Sequence, residues 1–192
     1  MLNAADELIW RAMRLAEAAH RQAGHYRKAP SGVDKPAYFI HLVEVAWLLQ
    51  EAKQPADVVA AGFLHDIIED CAYTESQLAA AIENTQVATW VQWVSEADKG
   101  EGWEVRNQRY AARMRHAPPQ VLALSCADKT SNLRSFCRFL QAGHPLESFT
   151  KRPYLAQRTK FQTLAPYYQA QVPPVLWQHF AAALHGFDQY AP

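Results

Sequence analysis

The stretch Leu64-His65-Asp66-Ile67-Ile68-Glu69-Asp70 places four ionisable side chains at the end of an otherwise apolar run. On a continuous helix turning ~100° per residue, positions 65, 66, 69 and 70 fall at roughly 0°, 100°, 40° and 140°, within less than half the circumference. Ile67 and Ile68 then point the other way. Three acids held this closely repel one another unless a cation or a water network lies between them, and a metal ion is the natural resolution. His41 supplies a second imidazole. If residues about 51 to 55 turn an antiparallel helical hairpin, His41 and His65 stand level across it, each ~18 Å from the turn. His41 shares a face with Val45 and Leu48, which points it into the seam of the hairpin. A fourth ligand should come from another apolar helix bearing an isolated acid, and Asp128 within Val121-Leu122-Ala123-Leu124-Ser125-Cys126-Ala127-Asp128 is the outstanding candidate. Asn132 follows one turn on, on the same face. Two imidazoles and two carboxylates suit Mn, Fe, Mg or open-site Zn. The chemistry of such a centre is hydrolysis: the ion acidifies water and polarises a phosphoryl oxygen, while Glu69 and Asp70 orient that water or shuttle its proton.

The elements that must hold these residues are helical. Few glycines, few β-branched alternations and abundant Ala, Leu, Glu, Gln and Arg favour helix almost throughout. Asn3 caps a first helix running to about His20, with Ile9, Met13 and Ala16 on one face. A polar loop from Lys28 to Pro36 precedes a buried helix from Tyr38 to about Gln50. Pro55 opens the next, reaching Asp70. Thr74-Glu75-Ser76-Gln77 has capping-box spacing, and Ala88 to Val94 and Trp103 to Arg115 supply two more helices. After Pro118-Pro119 a helix from about Gln120 to Leu140 carries Asp128. Pro153 starts a further helix, and Pro173-Pro174 precede the last, Val175 to His185. The expectation is an all-α, compact single-domain helical bundle spanning 1–192.

Composition narrows the function classes. With 49% hydrophobic residues among 192, intrinsic disorder is excluded. Nineteen basic residues balance nineteen acidic ones, which argues against a nucleic-acid coat or a polybasic membrane binder, so any anionic ligand must be held locally. No apolar stretch approaches the ~18–20 residues that span a bilayer, and Asp6 sits where a signal peptide would be basic. Cys71, Cys126 and Cys137 are odd in number and lack C-x-x-C spacing, which fits a reducing cytoplasm. Oligomeric state is not legible here.

At the candidate site the sequence resembles a known family. His41 with Glu44-Val45-Ala46, the string from Leu64 to Asp70, and Ala127-Asp128-Lys129-Thr130-Ser131-Asn132-Leu133-Arg134 look like HD-domain hydrolases of the alarmone type, including the small stand-alone ppGpp hydrolases. The likeness runs from about His20 to about Arg134. It implies a manganese-dependent removal of pyrophosphate from the 3′ position of ppGpp or pppGpp, giving GDP or GTP. His41, His65, Asp66 and Asp128 would hold the ion, and Glu69 and Asp70 would serve the attacking water. The resemblance also implies that Arg27 and Lys28 clamp phosphates and that Asn132 contacts the nucleotide, a small-molecule partner. Three features depart from the family pattern: a longer loop from Ala29 to Pro36, Leu42 in place of a proline, and Glu83-Asn84 in place of a Phe-Gly pair.

Alternatives of other classes share the same residues. One is a hydrolase of another phosphorylated nucleotide, such as the 2′-phosphate of NADPH; another is a nucleotide-sensing module without turnover. For single residues the bland alternative is a hydrogen-bonded core histidine, a solvated helix end at Glu69-Asp70, or surface charge at Arg27 and Lys28. Lys129 is expected to be a poor partner for Asp128, because adjacent helical residues do not face each other. His20 and His25 show no usable spacing. Lys151, Arg152 and Arg158 fit a solvated face as well as a phosphate contact.

Overall fold

Asn3, predicted as an N-cap, accepts the Asp6 backbone N–H at 2.9 Å and starts α1, Ala4–Gln22, in a computed structural model that describes residues 3–96 and 100–192. The helices α2 (Phe39–Glu51) and α3 (Ala56–Leu64) follow as the expected hairpin, turned at Lys53 with φ 54°. Next comes α4, Ile67–Asp70. Thr74 and Gln77 form the predicted capping box of α5, Glu75–Ile82. Glu83 then takes a left-handed conformation with φ 54°, and Asn84 caps α6, Thr85–Val94. This explains how the chain turns there without a glycine: Glu83 accepts the strain and ion-pairs with Arg11 at 2.5 Å. The remaining helices are α7 (Trp103–Met114), α8 (Pro119–Gln141), α9 (Tyr154–Gln171) and α10 (Pro174–Asp188), with a 3₁₀ turn at Leu146–Ser148.

The all-α expectation holds: among the described residues, extended pairing is limited to one isolated antiparallel bridge, Tyr26 to Ala37. That bridge was not anticipated, and it settles the long loop. The Arg27 N–H donates to the Pro36 carbonyl at 2.9 Å and the Tyr38 N–H to the His25 carbonyl at 3.2 Å, so residues 28–35 form an excursion that leaves and re-enters at one place. Length added there does not displace Arg27 from α2.

The long helix α8 is the spine. Its residues Val121 to Ser131 are all buried, and α2, α3, α6, α9 and α10 pack around it. Fully buried side chains such as Leu42, Leu64, Ile67, Leu122, Phe161 and Tyr168 join one continuous core, each contributing ~1.5–3 kcal/mol by leaving water. No described helix is long and apolar enough to cross a membrane.

One predicted element is corrected. The helix expected to run unbroken from Pro55 to Asp70 is interrupted at His65 and Asp66, where Asp66 adopts φ −101° and ψ 0° between α3 and α4. Positions 65, 66, 69 and 70 therefore do not share the face of a regular helix. The His65 ring explains the break in part: its Nδ1–H donates to the Gly62 carbonyl at 2.9 Å, competing with the next backbone donor for that acceptor.

Candidate metal centre

The hairpin brings the two histidines together because α3 rides unusually close on α2. A Cβ placed on Gly62 would stand 2.8 Å from Leu49 Cδ1 and 3.1 Å from the Ala46 Cα, so only glycine permits this approach. The His41 and His65 rings meet edge to face with centroids 5.1 Å apart, each ring only 2% exposed. Asp66 Oδ2 lies 2.9 Å from His65 Nε2 and 3.7 Å from His41 Nε2. From α8, Asp128 Oδ1 lies 3.3 Å from His41 Nε2 and 3.7 Å from His65 Nε2. All four sequence-predicted ligands thus converge, and His41, His65 and Asp66 have donor atoms within 4.8 Å of one another.

Hydrogen bonding fixes which ring nitrogens face inward. His65 gives its Nδ1–H to a carbonyl, which can only accept. His41 Nδ1 meets Ser131 Oγ at 2.8 Å, and the Ser131 hydroxyl donates to Glu44 Oε2 at 2.7 Å, so the serine must accept from His41 Nδ1–H. Both rings therefore carry their outward proton on Nδ1 and turn a buried Nε2 toward the two carboxylates; without an ion the His65 Nε2 also holds a proton against Asp66. Donors bound ~2.1 Å from one ion stand roughly 3–3.5 Å apart. The separations seen here, 2.9 to 3.7 Å, lie around that spacing, and the residues fit a divalent cation.

The protonation pattern follows from crowding two carboxylates with no cation between them. Burial, aided by the Arg27 charge, lowers His41 to about 4. Burial also disfavours charge on His65, yet Asp66 and Asp128 outweigh it and raise that ring well above the ordinary histidine value. Asp128 resists burial because Lys129 and the two imidazoles hold it well below the usual carboxylate range. Glu69 moves the other way, raised by burial and by the Asp66 charge.

Beside the two histidines lies a cavity of about 610 Å³. Asp66, Glu69, Asp70, Asp128, Arg27, Lys28 and Asn132, the other seven predicted site residues, all line it. Glu69 Oε2 accepts the Glu96 backbone N–H at 3.0 Å. Asn132 bridges the site: its Nδ2 donates to Asp128 Oδ1 at 2.5 Å and its Oδ1 accepts from Arg27 Nη2 at 2.9 Å. Lys151 and Arg152 also face the cavity, whereas Arg158 turns outward to Asp188 at 2.7 Å.

Two residues at the site were missed or misjudged. The Lys129 ammonium sits 2.6 Å from Asp128 Oδ2 and 4.8 Å from the centre of the Tyr110 ring, buried beside the cavity. The neighbour rule fails because a four-carbon stem reaches back around the helix once its outward path is closed by packing. Tyr38 donates its hydroxyl to Asp66 Oδ2 at 2.6 Å. A long-range contact of this kind leaves no local signal beyond an aromatic three residues before His41.

These features are those of a metal-centred HD site, and the comparisons agree. The HD domain family matches residues 12–147, and the chain belongs to it; that domain implies binding of a divalent metal. Among curated proteins the chain is 32% identical over 130 residues to a guanosine-3′,5′-bis(diphosphate) 3′-pyrophosphohydrolase of Vibrio cholerae, covering 65% of this chain and 18% of that one. It is 33% identical over 103 residues to the protein of the same name in Haemophilus influenzae, covering 51% and 15%. The chain thus spans less than a fifth of the length of these relatives. Among solved structures, lmo0812 of Listeria monocytogenes EGD-e superposes with TM-score 0.68 at 28% identity, covering 78% of this chain and 96% of that one. A metazoan SpoT ortholog described as hydrolysing ppGpp superposes with TM-score 0.75 at 19% identity over 96% of both chains, which shows a shared fold.

Proposed function

We propose that residues 1–192 act as one manganese-dependent phosphohydrolase that removes pyrophosphate from the 3′ position of ppGpp or pppGpp. One observation carries the reading: two buried imidazoles, each with its Nδ1–H turned outward, present Nε2 to two carboxylates beside a cation-lined cavity. The names of the Vibrio and Haemophilus relatives support this substrate.

In this reading His41, His65, Asp66 and Asp128 hold the ion. When bound, it supplies Lewis acidity, making water more acidic and neutralising phosphoryl charge. Glu69, with its raised pKa, takes the proton from the attacking water, and Asp70 orients that water from the same short helix. Arg27, fixed by Asn132, and Lys28 clamp the phosphates, the guanidinium offering a two-pronged donor. Asn132 orders the nucleotide side of the site. The cytoplasm is the compartment this substrate implies.

The test is direct. Incubated with Mn²⁺ and ppGpp, the protein should release pyrophosphate and GDP in equal amounts, and Glu69→Gln should abolish turnover while Mn²⁺ binding persists. Absence of GDP alongside phosphate release from NADPH would transfer the substrate to the second nucleotide class. Retention of full turnover in Glu69→Gln would remove its assigned role.

A further inference from the structure

Outside the site just described, the C-terminus of α1 carries a second convergence of metal-ligating side chains. His20 lies in the last turn of α1. Gly24 follows with φ +66°, and the His25 N–H closes back onto the His20 carbonyl at 3.0 Å. This left-handed turn, which glycine adopts without strain, folds His25 beside His20. Cys71 arrives from the end of α4, its N–H bonded to the Ile67 carbonyl at 3.0 Å. One donor atom from each of His20, His25 and Cys71 lies within 4.8 Å of the others.

We infer that His20, His25 and Cys71 form a second metal site, distinct from the His41, His65, Asp66 and Asp128 cluster, selective for a thiophilic ion such as Zn²⁺.

The geometry points there. The His20 and His25 Nδ1 atoms stand 3.2 Å apart. Two nitrogens bound to one tetrahedral zinc at ~2.0–2.1 Å stand roughly 3.3 Å apart. In the metal-free protein one proton serves the Nδ1 to Nδ1 contact. A cation in place of the shared proton engages both Nδ1 lone pairs at once. Burial holds His20 below the ordinary histidine value, so its ring is already neutral and able to ligate. The thiol, pushed up to about 11 by burial and by the Asp70 and Asp66 charges, releases its proton to solvent when the ion binds.

The donor set separates the two sites. Two carboxylates and two imidazoles favour a harder ion, while two imidazoles and a thiolate favour zinc with water in its fourth position. Entry is open, because His25 lines the cavity and Cys71 is half-exposed. The site also touches the first through one residue. The His20 ring stacks on Tyr38 at 4.8 Å and 9°, and the Tyr38 hydroxyl reaches Asp66. An ion there would tie together the end of α1, the bridge at Tyr26 and the end of α4, the three segments that wall the first site.

Cobalt substitution tests this in the full chain. Metal-free protein titrated with Co²⁺ should develop a near-ultraviolet thiolate-to-cobalt band that Zn²⁺ removes. Equilibrium dialysis should find two ions per chain. Cys71→Ser should lose the band and one ion, Cys137→Ser should keep both, and His25→Gln should weaken the band-forming site. No band in the unmodified protein overturns the inference without recourse to any variant, and so does a band that survives in Cys71→Ser.

Discussion

The Ser131→Ala substitution separates the ligand atoms of the first site from the groups that aim them. Ser131 lies on α8 and touches no atom of the proposed ion; it accepts the His41 Nδ1–H and passes a hydrogen bond to Glu44. Alanine removes that acceptor inside a pocket where His41 is 2% exposed. Two costs follow. A buried N–H left without a partner is worth ~1–3 kcal/mol. The proton also gains a better position on Nε2, where Asp128 Oδ1 waits at 3.3 Å, so the favoured tautomer presents N–H to the ion rather than a lone pair. Loss of such supporting hydrogen bonds lowers metal affinity about 10- to 100-fold, or roughly 1.4–2.7 kcal/mol. Global stability should fall less, because Glu44 keeps Arg138 at 3.0 Å and Arg134 at 3.4 Å. Calorimetric titration of metal-free protein with Mn²⁺ measures the first quantity and thermal unfolding the second. A folded variant with unchanged Mn²⁺ affinity would refute the claim that the His41 tautomer is set from Ser131.

Gly62→Ala drives a Cβ to 2.8 Å from Leu49 and 3.1 Å from the Ala46 backbone, so it should cost ~1–3 kcal/mol in denaturant unfolding and weaken Mn²⁺ binding by parting the two histidines; an unchanged midpoint would show that α3 shifts freely. Lys129→Met leaves Asp128 buried without its 2.6 Å counter-charge and should destabilise metal-free protein by ~3–5 kcal/mol, a loss that added Mn²⁺ reverses in thermal scans; equal destabilisation with and without metal would contradict this. Lys160 lines the cavity with its pKa lowered to about 8 by burial and the Lys129 charge. It is charged below that value and neutral above it, so KM for ppGpp should rise as pH climbs through about 8, and Lys160→Gln should flatten that rise; an identical pH profile in the variant would remove Lys160 from phosphate binding.

How much of this was legible in the sequence depends on the range of the interaction that decides it. Caps at Asn3 and Thr74, proline starts, and the level pairing of His41 with His65 all rest on rules acting over a few residues or one hairpin, and they appear as expected. The break at His65 does not follow from such rules. Helical periodicity treats 56–70 as uniform, whereas a side chain returning to its own helix, His65 to Gly62, redirects the next turn. Asp66, Glu69 and Asp70 come together although the helix that suggested it is not continuous, because a single turn of short helix still leaves Glu69 and Asp70 facing the cavity. Lys129, Tyr38 and the His20, His25 and Cys71 group were lost for the complementary reason. Tyr38 and Cys71 depend on chain segments brought together only by the tertiary fold, while Lys129 and His25 sit beside their partners in sequence and are aimed by packing and by the Gly24 turn rather than by a spacing that announces them.

The neutral composition acquires a physical meaning at the cavity. Among the described residues, seven cationic side chains face it: Arg27 and Lys28 from the bridge, Arg106 from α7, Lys129 from α8, Lys151 and Arg152 before α9, and Lys160 within it. Five acids answer them, of which Asp66 and Asp128 sit against the two imidazoles. More than a third of the nineteen basic residues thus gather around one cavity of a protein whose charges cancel. A field of this kind is short-ranged, since the protein's opposing charges cancel it at a distance and dissolved salt screens it beyond ~10 Å. It will therefore not draw in a polymer of phosphates, but it will hold a compact polyanion once one enters. A divalent ion would offset the two ligand carboxylates and leave the cations free to bind phosphate, so metal and nucleotide should bind with positive cooperativity.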